Sequence, residues 1–453
     1  VSTLLARNAR VVVTMDATRR EIAGGGLFAR DGIIETVGPD ADLPDDADTI
    51  VDLTDQILLP GLVNAHHHLD QTLTRAIPAA QDAGLFDWLG AHYRIWARRT
   101  PEASRTATIV GLAELALSGC TTVFDHAYLF RNGCRVDDQI AAAAETGLRF
   151  MVSRGSMSRG QSLGGLPPDD CVETEDFILA DTERVIARHH DPAHGAMRRI
   201  VVAPCSPFSV TETLMRQSAA LARAHDVRLH THLCETLDEE RYTLAHHGMR
   251  PVDYLDSLDW LAPDIWFAHA IHVDQREIGL FARHRTGICH CPSSNMRLAS
   301  GMAPIRRYRD AGVDVGLGVD GSASNDSNHM LAEARQAMLL ARLRQTIEPA
   351  PWFSAREALE LATIGGAAVL GRADIGALEA GRCADFFTLD LTDVAYAGAQ
   401  ADPVAATVFC APRRARHTFV HGRPVVADGR FTSLDLEPVV AEHNRHAKKL
   451  LDG

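Results

Sequence analysis

Three features of the sequence predict an α/β protein, a (β/α)8 barrel carrying a small β-sandwich built from both chain ends. Residues 1–60 read as short strands separated by turn residues. From Gly61 onward, apolar runs of five to seven residues alternate with helical stretches rich in Ala, Leu, Glu and Arg. After about residue 375 the strand-and-turn style returns. A chain of 453 residues has room for two or three average domains, and one barrel plus one small module fits it equally well. The expected division is 1–60 and 375–453 for the sandwich and a C-terminal tail, with the barrel between, at 61–374.

The N-terminal strands are Arg10–Met15, Gly26–Arg30, Ile33–Val37, Thr49–Asp52 and Ile57–Leu59, with Asp31-Gly32, Gly38-Pro39 and Pro44-Asp45-Asp46 as turns. Buried barrel strands are expected at Thr121–Asp125, Arg149–Ser153, Ile200–Ala203, Arg228–His232, Ile265–Ala268, Gly287–His290 and Asp314–Val319. Helical segments such as Ser104–Leu117, Glu212–His225, Met302–Ala311 and Met330–Arg344 lie between them. About eight such alternations imply a parallel sheet, and a barrel is its natural closed form. Ala384–Asp390, Ala415–Val420 and Arg423–Ala427 return to strand, so one sandwich from both ends is expected rather than two unrelated caps. Gly155–Asp170, rich in Gly, Ser and Pro, reads as a long loop over the barrel mouth.

Composition excludes several classes. Hydrophobic residues make up 46% and charged residues 23%, ordinary for a globular core. A net charge of −14 and no basic patch argue against a nucleic-acid partner. No apolar run approaches the roughly 20 residues that span a bilayer, so no membrane partner is expected. The nine cysteines form no C-x-x-C pair and read as reduced, mostly buried thiols. The first ten residues carry no charged-then-apolar signal pattern, and a cytoplasmic protein is the expectation. A homo-oligomer is compatible with such a chain.

The strongest chemical signal is Pro60-Gly61-Leu62-Val63-Asn64-Ala65-His66-His67-His68. If Leu62–His68 is a strand, His66 and His68 project to one side and His67 to the other. Two imidazoles at a strand's C-terminal end suit a divalent metal in a barrel mouth. In Leu229-His230-Thr231-His232-Leu233-Cys234-Glu235, His230 and His232 share a face, so alternation does not choose between them. Glu235 follows where the strand gives way to a loop. Another strand ends in His269, with His272 close behind. In Val313–Gly321, Gly316 and Gly318 leave space on one face, and Asp320 stands at the tip. A carboxylate there is costly to bury unless it meets a cation or hydrogen-bond donors.

Taken in order, these motifs resemble the amidohydrolase superfamily, in its branch of cytosine, guanine and triazine deaminases and chlorohydrolases. The resemblance covers nearly the whole chain. It implies His66, His68, His232 and Asp320 as metal ligands, Glu235 as proton shuttle, and His269 as a contact to the activated water or the developing oxyanion. It favours His232 over His230 and His269 over His272. Two-metal members usually bridge their metals with a carboxylated lysine, but lysine occurs here only at Lys448 and Lys449. One metal is therefore expected, zinc first and iron as an alternative. The runs His66–Asp82, Leu85-Phe86-Asp87-Trp88-Leu89 and Ser153–Met157 are similar to members acting on 8-oxoguanine, and hydroxylated-triazine aminohydrolases share much of the pattern.

The resemblance thus implies hydrolytic removal of an amino group from a small heterocyclic substrate. For 8-oxoguanine, water adds at C2 and the product is urate. Asp320 acts as ligand and base, and Glu235 protonates the ring nitrogen beside the amino-bearing carbon. Gln71 and Trp88 are the substrate contacts expected, the first by its amide, the second by its ring face. Arg154 fits a structural ion pair as well as a ring carbonyl and is not assigned to the site. The rival readings are guanine, pterin, cytosine or triazine hydrolysis on the same scaffold and, from another class, a non-catalytic barrel scaffold. The last would be expected to lose ligands, and here every one is present.

Overall fold

The computed structural model describes residues 2–452. Five strands come first: β1 (Thr3–Val13), β2 (Glu21–Arg30), β3 (Ile33–Pro39), β4 (Thr49–Asp52) and β5 (Gln56–Pro60). Eight parallel strands follow and close on themselves: β6 (Leu62–Asn64), β7 (Cys120–Asp125), β8 (Arg149–Ser156), β9 (Arg198–Pro204), β10 (Arg228–Leu233), β11 (Ile265–His269), β12 (Gly287–His290) and β13 (Val315–Leu317). The last four are β14 (Phe386–Asp390), β15 (His417–Val420), β16 (Arg423–Ala427) and β17 (Arg430–Phe431).

Strands from both chain ends share one nine-stranded sheet, in which β5 pairs antiparallel with β14. β1 is the branch point. It is bulged between Ala6 and Ala9, and pairs with β4 along its first half and with β5 along its second. Its apolar cluster gathers Leu4, Ala6, Val12, Leu27, Leu58, Phe386 and Phe419 from both arms. One sheet built from both chain ends is consistent with the small β module expected there.

Two expected barrel strands are shorter than the sequence suggests. The first stops at Asn64, so His66, His67 and His68 lie beyond it, and the last covers only Val315–Leu317, leaving Asp320 outside. Backbone bonds continue past both ends but no longer as a regular ladder, from Ala65 N–H to the Leu317 carbonyl at 2.8 Å and from Asp320 N–H to the His66 carbonyl at 3.1 Å. The space expected beside Gly318 is also filled: a Cβ there would fall 2.8 Å from the Cys289 sulfur and 2.8 Å from the His66 Cβ. Glycine lets the last strand press against the His66 backbone. Helix 302–311 is likewise shortened, to Ile305–Asp310.

The lumen is packed by a layer of rings. Phe124 meets His230 at 4.9 Å and Trp266 at 4.8 Å, and the Trp266 indole N–H donates to the Ala65 carbonyl at 3.1 Å. This layer forms the floor beneath the C-terminal mouth. The helix Pro101–Leu117 starts on a Thr100 cap with Pro at its first turn. The final helix, Leu436–Asp452, covers it. Leu450 packs on Leu73, Ala103 and Ala107, and Val439 on Ile109 and Ala142. No helix among the described residues is long and apolar enough to cross a membrane.

Candidate active site

The ligand-type and acid–base side chains at the mouth come from the ends of four strands, β6, β10, β11 and β13, and hydrogen bonding fixes how each histidine presents itself. A backbone carbonyl only accepts. His68 Nδ1, 2.8 Å from the His126 carbonyl, must therefore carry its ring proton there, as must His232 Nδ1 against the Cys205 carbonyl and His230 Nδ1 against the Trp266 carbonyl. His230 then has only a lone pair on Nε2, which accepts from His66 Nδ1 at 2.9 Å. The result is that His66, His68 and His232 all turn a bare Nε2 inward.

These bare nitrogens converge. His68 Nε2 and His232 Nε2 lie 3.1 Å apart. Asp320 Oδ1 stands 3.3 Å from His66 Nε2 and 3.4 Å from His68 Nε2. Burial pushes all three imidazoles down, His68 to about 3, so none carries a second proton to bridge the gap. His66 Nε2 has no hydrogen-bond partner among the described residues. Three lone pairs and a carboxylate facing one another repel unless a cation joins them, so the donor set fits a divalent metal. His67 points away and pairs with Asn328 Oδ1 at 3.0 Å.

The acid–base groups lie beside this set. Glu235 follows β10, where Cys234 takes a positive φ of 54° and Glu239 receives the Cys234 and Glu235 backbone N–H groups at 2.9 and 3.0 Å. Burial pushes the Glu235 carboxyl up to about 7. His269 Nδ1 is held by Asn295 Oδ1 at 2.9 Å, and its Nε2 faces Glu235 Oε2 at 3.6 Å and Asp320 Oδ2 at 3.9 Å. Burial works against a charge on His269, but the two facing carboxylates outweigh it and raise its pKa. His269 and Asp320 both sit at positive φ, 71° and 61°. Such backbone is uncommon outside glycine and clusters at functional sites.

A cavity opens over these groups, lined by His68, His232, Glu235, His269 and Asp320 at one end. Leu85, Trp88, Leu89, Phe208 and Leu298 form its apolar wall. Gln71 and Trp88 both line it. Gln71 rests its amide on Gly321, where a Cβ would come within 1.8 Å of Oε1. The Trp88 indole N–H is committed to the Ala323 carbonyl at 3.2 Å, which leaves its ring as the contacting surface. Arg154 is bound in ion pairs to Glu173 and Asp181 at 2.9 Å each and takes no part. Met157, Leu166 and Cys171, from the loop segment after β8, pack into the same apolar cluster as the wall.

Sequence reasoning missed several lining or holding residues: Tyr93, Tyr128, Ser206, Phe208, Leu298 and Asn295. They sit on loops and helices with no periodic signal, and only the closed barrel brings them together.

A closed parallel barrel with a histidine–carboxylate donor set at its C-terminal mouth defines a metal-dependent hydrolase. The chain belongs to the Amidohydrolase family, whose pattern matches residues 57–425, and it hydrolyses C–N bonds with a divalent metal. It is 49% identical to 8-oxoguanine deaminase from Pseudomonas aeruginosa, over 95% of this chain and 96% of that one. It is 36% identical to hydroxydechloroatrazine ethylaminohydrolase from a Pseudomonas species, over 94% and 91%. The crystal structure of the zinc-complexed atrazine chlorohydrolase from Arthrobacter aurescens superposes with a TM-score of 0.93 at 35% identity, covering 98% of this chain and 100% of that one.

Proposed function

We propose that this chain removes the exocyclic amino group from an amino-substituted nitrogen heterocycle, converting 8-oxoguanine and water to urate and ammonia. The convergence of three bare imidazole nitrogens with Asp320, beside a buried carboxyl that titrates near neutrality, carries the reading. The relative from Pseudomonas aeruginosa supports the choice of purine.

His66, His68, His232 and Asp320 would hold one divalent metal. Zinc is the metal proposed, supported by the zinc-complexed neighbour, with iron as the alternative that the same ligand types accept. Lys448 and Lys449 both lie on the last helix, so no barrel lysine is present to bridge a second ion. A metal in this set supplies Lewis acidity, enough to bring the pKa of water from about 15.7 toward 7.

The chain's own groups do the rest. Asp320 turns Oδ1 to the imidazoles and Oδ2 toward His269, so one oxygen serves as ligand while the other takes the proton of the attacking water. Glu235 delivers a proton to the ring nitrogen beside the amino-bearing carbon, which makes that carbon electrophilic; the proton taken by Asp320 passes to the departing amine, and the hydroxyl proton left on that carbon's oxygen returns to Glu235 as the carbonyl forms. His269, steadied by Asn295, hydrogen-bonds the oxygen that becomes negative at the tetrahedral stage. Gln71 and Trp88 orient the ring. The acidic charge and the nine unpaired cysteines, eight of them buried, favour a cytoplasmic enzyme of a small molecule.

A hydroxylated triazine is the second reading, favoured by the 36%-identical aminohydrolase. The test is ammonia release by zinc-loaded protein from 8-oxoguanine, guanine, cytosine and isoxanthopterin, with ethylamine release as the readout for hydroxyatrazine. Urate and ammonia appearing in equal amounts from 8-oxoguanine is the expected result. Turnover of hydroxyatrazine alone moves the substrate to the triazine, and silence across the panel with metal bound overturns the deaminase reading.

A further inference from the structure

Tyr93 stands on the cavity wall with a hydroxyl that the mechanism leaves idle. It lies on the helix Leu85–Trp96, is 1% exposed, and lines the cavity. Its Oη has no hydrogen-bond partner among the described residues. A buried hydroxyl in that state has given up water for nothing. The hydroxyls of Tyr254 and Tyr396 are also unpaired, but neither residue lines this cavity.

A second idle atom shares the cavity. Gln71 is 4% exposed, and its Oε1 likewise lacks a partner among the described residues. Among its fully buried atoms the wall therefore offers an unpaired donor, the Tyr93 O–H, and an unpaired acceptor, Gln71 Oε1. That combination matches a ring bearing both C=O and N–H groups, and it wastes both atoms on a purely apolar substituent. The helix carrying Tyr93 supplies none of the reacting groups Glu235, His269 and Asp320, which leaves its hydroxyl free of a role at the reacting carbon.

We propose that Tyr93 determines specificity: its hydroxyl donates to a ring oxygen remote from the reacting carbon, the C8 oxo group in 8-oxoguanine. This rests on the proposed deaminase reading and adds what selects the ring. Guanine lacks that oxygen and leaves the hydroxyl unpaired in a dry wall. A site built to hydrogen-bond a polar group discriminates strongly against the analogue without it.

The experiment compares kcat and KM of wild type and Tyr93→Phe on 8-oxoguanine and guanine, with Tm measured for both proteins. Loss of one buried substrate hydrogen bond should lower kcat/KM for 8-oxoguanine by about 5- to 100-fold, leave guanine within about twofold, and leave Tm undiminished. Equal losses on both purines, or a lowered Tm with parallel losses, mark a packing role and overturn the inference. So does an unchanged kcat/KM for 8-oxoguanine. If wild type acts on neither purine, the purine reading fails on its own. Tyr93 is then judged on the oxo-substituted panel heterocycle that wild type turns over or binds best, where a 5- to 100-fold loss at constant Tm supports it and no change overturns it.

Discussion

At the base of the barrel, Arg149 opens β8 with 0% exposure and gives its guanidinium to Asp385 at 2.5 and 3.1 Å, with further bonds to the Gly195 and Ala196 carbonyls. Asp385 also receives the His421 backbone N–H at 2.7 Å. Nearby, Arg372 grips Asp374 through two bonds of 2.7 Å, and Gly195 N–H completes that carboxylate at 2.8 Å. At the mouth, the buried His66, His68 and Asp320 and the half-buried His232 present acceptors to one another. Both ends bury charge and polar atoms in the same fold. The Arg149–Asp385 pair at the base closes its partners within the chain and serves stability, whereas the mouth turns acceptors toward one another and serves a ligand.

The largest effect should come from supplying and removing the cation that the mouth lacks internally. Dialysis against a chelator should abolish turnover and lower Tm, and added zinc should restore both; full activity in metal-free protein would break the contrast. Next, Glu235→Gln should cut kcat by about 10²- to 10⁴-fold while metal content and Tm stay at wild-type values, because an amide cannot shuttle a proton. At the opposite end, Asp385→Ala strands the buried Arg149 and should cost about 3–5 kcal/mol in denaturant unfolding, with kcat per folded molecule unchanged. A loss of kcat with stability intact would show that the two ends are not separable. Smallest, His230→Gln removes the imidazole that fixes the His66 ring and should weaken metal affinity by about 10- to 100-fold, read by competition with a chelator.

Much of this was legible in the chain because it is written in periodicity. Alternating apolar runs and helices gave the barrel, and the β-rich ends gave a sheet shared by both termini. Strand-end residues marked His66, His68, His269 and Asp320. The strand boundaries were less legible: His66 and His68 were expected inside a strand that stops at Asn64. A hydrogen-bonded ladder depends on the neighbouring strand, which local sequence does not encode.

The sequence by itself determined the order of the polar residues, the absence of a barrel lysine, and the apolar periods that force a closed parallel sheet. Residue alternation leaves His230 and His232 open, since both share one face of β10, and only the tertiary structure shows how each ring is turned. His230 is turned into the ring-packed floor, between the Trp266 carbonyl and His66, while His232 is locked by the Cys205 carbonyl with Nε2 turned toward His68 at the mouth. It likewise brought Gln71 and Tyr93 to one cavity wall without partners. The physical reason is the same in each case. Which way a polar atom faces is set by carbonyls and rings far away in sequence, and these meet only when the barrel closes.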